Sequence, residues 1–354
     1  MARNQSGLQR SASDKGTRHV SSFDLPLSDL LGESTHSHLR QKVDEAVVNA
    51  SAYMAGPSLS DVPLDQVPDV RQQQAESFYK TPLYRRMTER YSVNVSTKTI
   101  GGVLTEVFLP DAGIDVSNQD RVLINLHGGS FCSGSRTATH LESIPISSVG
   151  QIKVISVDYR MAPEYRYPAA TEDVLAVYQA LLEDYEPRNI GLYGASAGAL
   201  LSAQVIAALV RQSLPLPSAV AMIGASALGW DRGDSRYFAE NIRSQTSLQS
   251  SDASSLYLSS CDSFDANVFP GNDPDVLAQF PPSLLLSATR DDALSVVVHN
   301  HSQFVKLGVK SELYVWEGLG HTFHYDSAFS ASRDVYQLLV NYFNRHFGLQ
   351  KSTE

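Results

Sequence analysis

Hydrophobic and polar positions follow two different rhythms along the chain. Up to about residue 90 the apolar positions recur at helical spacing, in HLRQKVDEAVVNASAYM and ESFYKTPLYRRMTERY. Pro57, Pro63 and Pro68 break the region between these runs. Residues 21–90 are therefore expected to be helices joined by loops. From Tyr91 the rhythm changes. YSVNVSTKTIGGVLTEVFLP alternates by twos around Gly101-Gly102, which predicts a hairpin. Short apolar runs then alternate with amphipathic ones. RVLINLHGG, QIKVISVDYR, IGLYGAS, AVAMIGAS, SLLLSATRDD and SELYVWEG read as strands. AATEDVLAVYQALLEDY, AGALLSAQVIAALVRQ, LSVVVHNHSQFVKLG and SRDVYQLLVNYFNRHF read as helices. Strands that are apolar throughout, alternating with helices, imply an α/β fold with a mostly parallel sheet covered on both faces.

One stretch interrupts this alternation. Residues 229–280 lie between two predicted strands and are too long for a simple crossover. An insertion there would sit above the carboxyl edge of the sheet. The expected organisation is a disordered tail over 1–20, a helical appendage over 21–90, and a core over 91–228 and 281–350 interrupted by the insertion 229–280.

Composition narrows the function classes. Of the 354 residues 42% are hydrophobic, and the formal charge is −10. An acidic chain without clustered Lys and Arg argues against nucleic acid as a partner. The N-terminal MARNQSGLQRSASDKGTRHV has basic and serine residues but no apolar segment of the secretory type, and no run reaches the length of a membrane span. A cytoplasmic protein is expected. The two cysteines, Cys132 and Cys261, are too few for a disulfide framework and read as free thiols. No Cys/His spacing suggests zinc, and no metal or organic cofactor is expected.

The chemistry concentrates where a strand becomes a helix, in Gly194-Ala195-Ser196-Ala197-Gly198. A G-x-S-x-G turn lifts its serine hydroxyl to the top of a sheet beside a helix N-terminus. The amide of Ala197 then points at any oxyanion that develops near Ser196. A serine needs a base to take its proton. His299, His301 and His346 fall in predicted helices, whereas His321 follows the strand SELYVW in the loop EGLGHTF, with His324 as the alternative three residues on. An acid must orient that base. Asp291 and Asp292 stand just past the strand SLLLSAT. Asp291 is assigned to the histidine and Asp292 to the cap of the next helix. His127-Gly128-Gly129-Ser130 ends another strand, and its backbone N–H groups can complete an oxyanion hole. His127 is read as orienting this loop.

Together these residues resemble the hormone-sensitive-lipase-like branch of the α/β-hydrolases over roughly residues 93–348. The resemblance is carried by IGGVLTEVFLP, LHGGSFCSGS, VDYRMAPEYRYPAATEDV, YGASAG, SATRDDALS and EGLGH, and is nearest to the esterases, lactone hydrolases and acetyl-hydrolases of that branch. It implies an eight-stranded sheet and a cap built from residues 21–90 and 229–280. It also implies a Ser196, Asp291, His321 triad. The family's oxyanion loop is HGGG, so the donors fall at Gly129 and Ser130, with Gly128 open as an alternative. Serine replaces glycine at the last of these positions and would be strained if its φ were positive. Arg160, Glu164 and Asp173 are read as holding the loop beneath the site. Trp230, Tyr237, Phe238 and Tyr257 are candidates to line an acyl or ring pocket, or else pack the cap on the core. The implied substrate is a small-molecule ester, lactone or thioester. An acyltransferase or cyclase would use the same triad. Ligand-binding relatives that lack the histidine are a further reading, against which His321 stands. Pairing of relatives through an edge strand or last helix makes a homodimer the expectation.

Overall fold

The computed structural model describes residues 25–48, 62–229, 232–238 and 253–348, with the backbone alone described for 41–48 and 253–255. The predicted tail and Trp230 lie outside these residues.

Eight strands form one sheet in the order β1-β2-β4-β3-β5-β6-β7-β8. The predicted hairpin is β1 (Val93–Ile100) and β2 (Val103–Pro110), paired antiparallel with Ile100 opposite Val103. Gly101 and Gly102 form the two-residue turn, both at positive φ, as the twist of a tight hairpin demands. β2 lies antiparallel to β4 (Lys153–Val157). The remaining strands, β3 (Val122–Leu126), β5 (Ile190–Ala195), β6 (Ala219–Ile223), β7 (Ser283–Arg290) and β8 (Ser311–Gly320), run parallel to their neighbours.

The central strands are buried on both faces, which is why their sequences are apolar without alternation. Val122, Ile124, Leu126, Ile190 and Leu192 face one core cluster. Their strand neighbours Leu123, Tyr193 and Ala195 face the other. On the first face lie α5 (Ala169–Leu181), α6 (Ala197–Arg211) and α9 (Leu294–Lys306). On the second lie α3 (Pro82–Arg90), α4 (Ala138–Gly150) and α10 (Ser330–His346).

α4 has no counterpart among the predicted helices. Residues 138–147 are all buried and Pro145 sits inside the helix, so α4 shows neither an amphipathic stripe nor good helical propensity. Residues 76–91, read as one helical run, are divided. α2 (Val67–Phe78) ends and α3 begins at Pro82, with the Thr81 hydroxyl accepting from the Tyr84 N–H at 3.2 Å. Earlier in the chain α1 spans Glu33–Val48. In the long connection between β6 and β7, α7 (Ala253–Leu258) and α8 (Pro274–Leu277) are short.

Candidate active site

The turn from β5 into α6 is a close approach of backbones. A Cβ on Gly198 would overlap the Leu126 carbonyl, and one on Gly194 would overlap the backbone of Gly198. Ser196 between them has φ 54° and ψ −120°, a conformation that L-residues rarely adopt. Its amide donates to the Ile223 carbonyl at 2.7 Å, which ties the strained turn to β6.

The Ser196 hydroxyl lies 2.9 Å from His321 Nε2, and His321 Nδ1 lies 2.8 Å from Asp291 Oδ1. With the carboxylate as acceptor, Nδ1 carries the proton and Nε2 is free to accept from Ser196. Asp291 is only 2% exposed. Burial alone would raise its carboxyl. The His321 charge and hydrogen bond, with the Ala293 N–H, outweigh burial and hold it below the usual range. Its second oxygen accepts from the Ser287 hydroxyl at 3.0 Å.

Asp292 does not take the predicted capping role. The amide of Ala293 donates to Asp291 Oδ1 at 3.0 Å, while Asp292 Oδ1 stands 3.6 Å from His321 Nδ1. Ligand atoms of Asp291, Asp292 and His321 lie within 4.8 Å of one another, the spacing of a metal site. Both His321 nitrogens already face Asp291 and Ser196, so an ion there would have to displace one of those contacts. His324, the alternative base, is buried, and neither ring nitrogen meets a partner among the described residues. Burial depresses its pKa to about 3, so it stays neutral, and it makes no hydrogen bond to Ser196, whose hydroxyl faces His321.

The loop after β3 is clamped peptide by peptide. The His127 carbonyl accepts from the Tyr159 hydroxyl at 2.7 Å, and the Gly128 N–H on the same peptide donates to Glu142 Oε1 at 2.8 Å. The Gly128 carbonyl meets His127 Nδ1 at 2.8 Å. The Gly129 carbonyl accepts from Cys132 N and Ser133 N, each at 3.0 Å, and from the Ser133 hydroxyl. In a trans peptide the N–H points opposite to the C=O. Fixing those two carbonyls therefore aims the N–H groups of Gly129 and Ser130 away from the loop interior, and neither meets an acceptor among the described residues. Gly128 is excluded as an oxyanion donor because Glu142 holds its N–H. Ser130 has φ 56°, so the strain expected of a serine there is present. His127 is buried and stacked on Tyr159 with ring centroids 4.2 Å apart, the orienting place assigned to it.

Glu142 on α4 is the polar residue that the motifs did not reveal. It is 2% exposed. Oε1 accepts from the Gly128 N–H and from the Tyr325 hydroxyl at 2.6 Å, and Oε2 accepts from Asn125 Nδ2 at 2.8 Å. Burial pushes its carboxyl up to about 7 against the pull of these donors. Gly224 was also missed. At φ 64°, a Cβ there would lie 3.0 Å from His321 Cε1 and 3.3 Å from Asp291 Oδ2. Its only sequence signal is a glycine at the end of β6.

Around this centre, Arg160 Nε binds Asp173 Oδ1 at 2.8 Å, and Asp173 Oδ2 accepts the Arg160 N–H at 2.8 Å. Glu164 does not join them but pairs with Arg71 of α2. Tyr257, a pocket candidate, is fully buried. Its ring stacks on Phe131 at 4.5 Å, and its hydroxyl accepts from the Ala170 N–H at 2.8 Å. It packs α7 on the core rather than facing an open pocket. Tyr237 and Phe238 are 64% and 58% exposed. The Cys132 thiol is pushed up to about 11 by burial, which leaves it unreactive, and both cysteines are free.

Comparison with known proteins places the chain in a family. A family model described as alpha/beta hydrolase fold matches residues 123–325, more than half of the chain. The versiconal hemiacetal acetate esterase of Emericella nidulans is 31% identical over 161 residues, 43% of this chain and 55% of that protein. An acetyl-hydrolase of Streptomyces hygroscopicus is 36% identical over 125 residues, 35% of this chain and 42% of that protein. The chain thus spans about half the length of these curated relatives. The crystal structure of an esterase superposes with a TM-score of 0.78 at 26% identity, covering 94% of this chain and 99% of that one.

Proposed function

Because the chain belongs to the alpha/beta hydrolase fold family, we propose that it is a serine carboxylic-ester hydrolase of the hormone-sensitive-lipase-like branch. The observation that carries this reading is the unbroken relay Asp291–His321–Ser196 ending on a hydroxyl held at a strained turn. Ser196 Oγ attacks the acyl carbon while His321 Nε2 takes its proton. Asp291 holds the Nδ1–H tautomer and stabilises the imidazolium. The amides of Gly129, Ser130 and Ala197 receive the oxyanion. His321 returns the proton to the leaving alkoxide, and water then attacks the acyl-enzyme by the same route.

The cap expected from residues 21–90 and 229–280 remains part of this proposal. Support comes from the Arg71–Glu164 ion pair and from His38 of α1, which reaches Asp326 five residues beyond His321 at 3.0 Å. The relatives named acetate esterase and acetyl-hydrolase put short-chain acyl esters first among substrates. No helix among the described residues is long and apolar enough to cross a membrane. The cytoplasmic placement and homodimer expected above remain part of this proposal, and light scattering of the purified protein checks the dimer.

The test is hydrolysis of p-nitrophenyl acetate, butyrate, octanoate and dodecanoate. Ser196→Ala should lower kcat by about 10⁴-fold or more, and Asp291→Asn by about 10⁴-fold through loss of the working tautomer. Turnover that survives in Ser196→Ala would overturn the acyl-enzyme route.

A further inference from the structure

We propose that Glu142 is a positioning residue for ester hydrolysis, its buried carboxylate holding the oxyanion loop and the His321 loop in one fixed relation. The inference rests on the reading of the preceding subsection and adds to it a residue outside the triad and the oxyanion donors.

Three observations support it. First, one oxygen joins the two loops. Oε1 accepts both the Gly128 N–H and the Tyr325 hydroxyl, four residues beyond His321. The loops also touch directly, since a Cβ on Gly128 would come within 2.6 Å of the Tyr325 hydroxyl. Second, the peptide that Glu142 grips is the one before the two open donors. Its carbonyl end is held by Tyr159 and its N–H end by Glu142, so the carboxylate sets the plane from which the Gly129 and Ser130 amides are built. Third, the partners facing both oxygens are all donors. Asn125 Nδ2 donates to Oε2, and the Asn125 side-chain oxygen Oδ1 itself accepts from the Ser156 hydroxyl at 2.7 Å. An ionised carboxylate satisfies all of these donors, whereas a protonated one has a hydrogen that meets no acceptor unless a bond breaks.

An anion buried among neutral donors with no cation paired to it is unfavourable for stability. An amide on the same stem would fill the same space. What the carboxylate adds is an acceptor for Asn125 Nδ2 on Oε2 while Oε1 holds both loops; an amide nitrogen in that place would meet a second donor and turn the group out of register.

The experiment compares wild type, Glu142→Gln, Tyr325→Phe and the double variant, each as the full chain, on p-nitrophenyl butyrate, with Ser196→Ala in parallel. Glu142→Gln should lower kcat roughly 10- to 100-fold with KM within about threefold, because the misplaced donors act in the transition state. Its urea midpoint should stay level or rise, an outcome that a purely structural role does not predict. Tyr325→Phe should lower kcat about 10-fold, and the double variant should be no worse than Glu142→Gln, because both losses pass through one oxygen. Wild-type kcat in Glu142→Gln, or a loss confined to KM, while Ser196→Ala is inactive, would overturn this inference and leave the hydrolase reading intact. Turnover surviving in Ser196→Ala would remove both. Should Glu142→Gln fail to fold, Tyr325→Phe carries the test, and wild-type kcat there overturns the proposal.

Discussion

At Ser130 two backbone effects compete. A non-glycine residue in the left-handed region costs about 1–2 kcal/mol, and Ser130 sits there at φ 56°. Glycine would relieve that strain but give back about 0.5–1 kcal/mol through the freedom of the unfolded chain. Ser130→Gly is therefore expected to stabilise the protein by about 0.5–1 kcal/mol in urea unfolding, with kcat within a few-fold because the amide remains. Gly224→Ala should go the other way. Its Cβ would press on His321 Cε1 and Nδ1 at 3.0 and 3.1 Å, and its φ is positive. Loss of about 1–3 kcal/mol of stability and at least about 10-fold in kcat is expected, measured on the same variant. Glu142 supplies a pH signature. Its folded carboxyl sits at about 7 against an ordinary 4.5. The folded protein thus keeps a proton that the unfolded chain has released. The associated stability is fully present below pH about 4.5, is lost as pH rises through about 7, and amounts to about 3 kcal/mol. Unfolding free energies of wild type and Glu142→Gln from urea titrations across pH 4–9 should converge at the acid end and separate by that amount above neutrality, the variant being the more stable.

The elements differ in how well local sequence describes them, and packing explains which ones did not show. The turn into α6 was legible because its glycines answer a local steric need. Gly198→Ala would drive a methyl into the Leu126 carbonyl. It should cost more than about 4 kcal/mol, the range reserved for backbone clashes in a packed interior, and is checked by expression yield and urea unfolding. The Gly101-Gly102 hairpin was legible for the same kind of reason. α4 was not. Buried over residues 138–147, it carries no polar face for a period to reveal, and its Pro145 and serines argue locally against a helix. Glu142 went unseen with it, because an acidic residue in an unrecognised segment looks like surface. α2 and α3 show the opposite error. Their apolar spacing runs on through Tyr79–Thr81, and Thr81-Pro82, a capping residue before a first-turn proline, was the available sign of the break.

On the scale of the whole molecule, the N-terminal helices are tied to the core by polar contacts that no spacing reveals. Arg71 of α2 meets Glu164 beyond β4, His38 of α1 meets Asp326, and Arg290 Nη2 donates to the Pro26 carbonyl at 2.5 Å. Arg71→Ala should raise KM for p-nitrophenyl butyrate severalfold with little change in kcat, because the pair fastens the cap without touching the relay. Steady-state kinetics on that variant decides it, and a fall in kcat alone would argue against a cap held by this pair. The sequence by itself determined the parallel core, the strained serine and the order Ser196, Asp291, His321, because strand burial and tight turns leave their marks within a few neighbouring residues. Only the tertiary structure decided that the Ala293 amide turns to Asp291 with no side-chain cap from Asp292, that Glu142 withdraws the Gly128 amide and that Tyr257 is buried. Each of these depends on where a hydrogen-bond partner from a distant segment arrives, and hydrophobic periodicity says nothing about that.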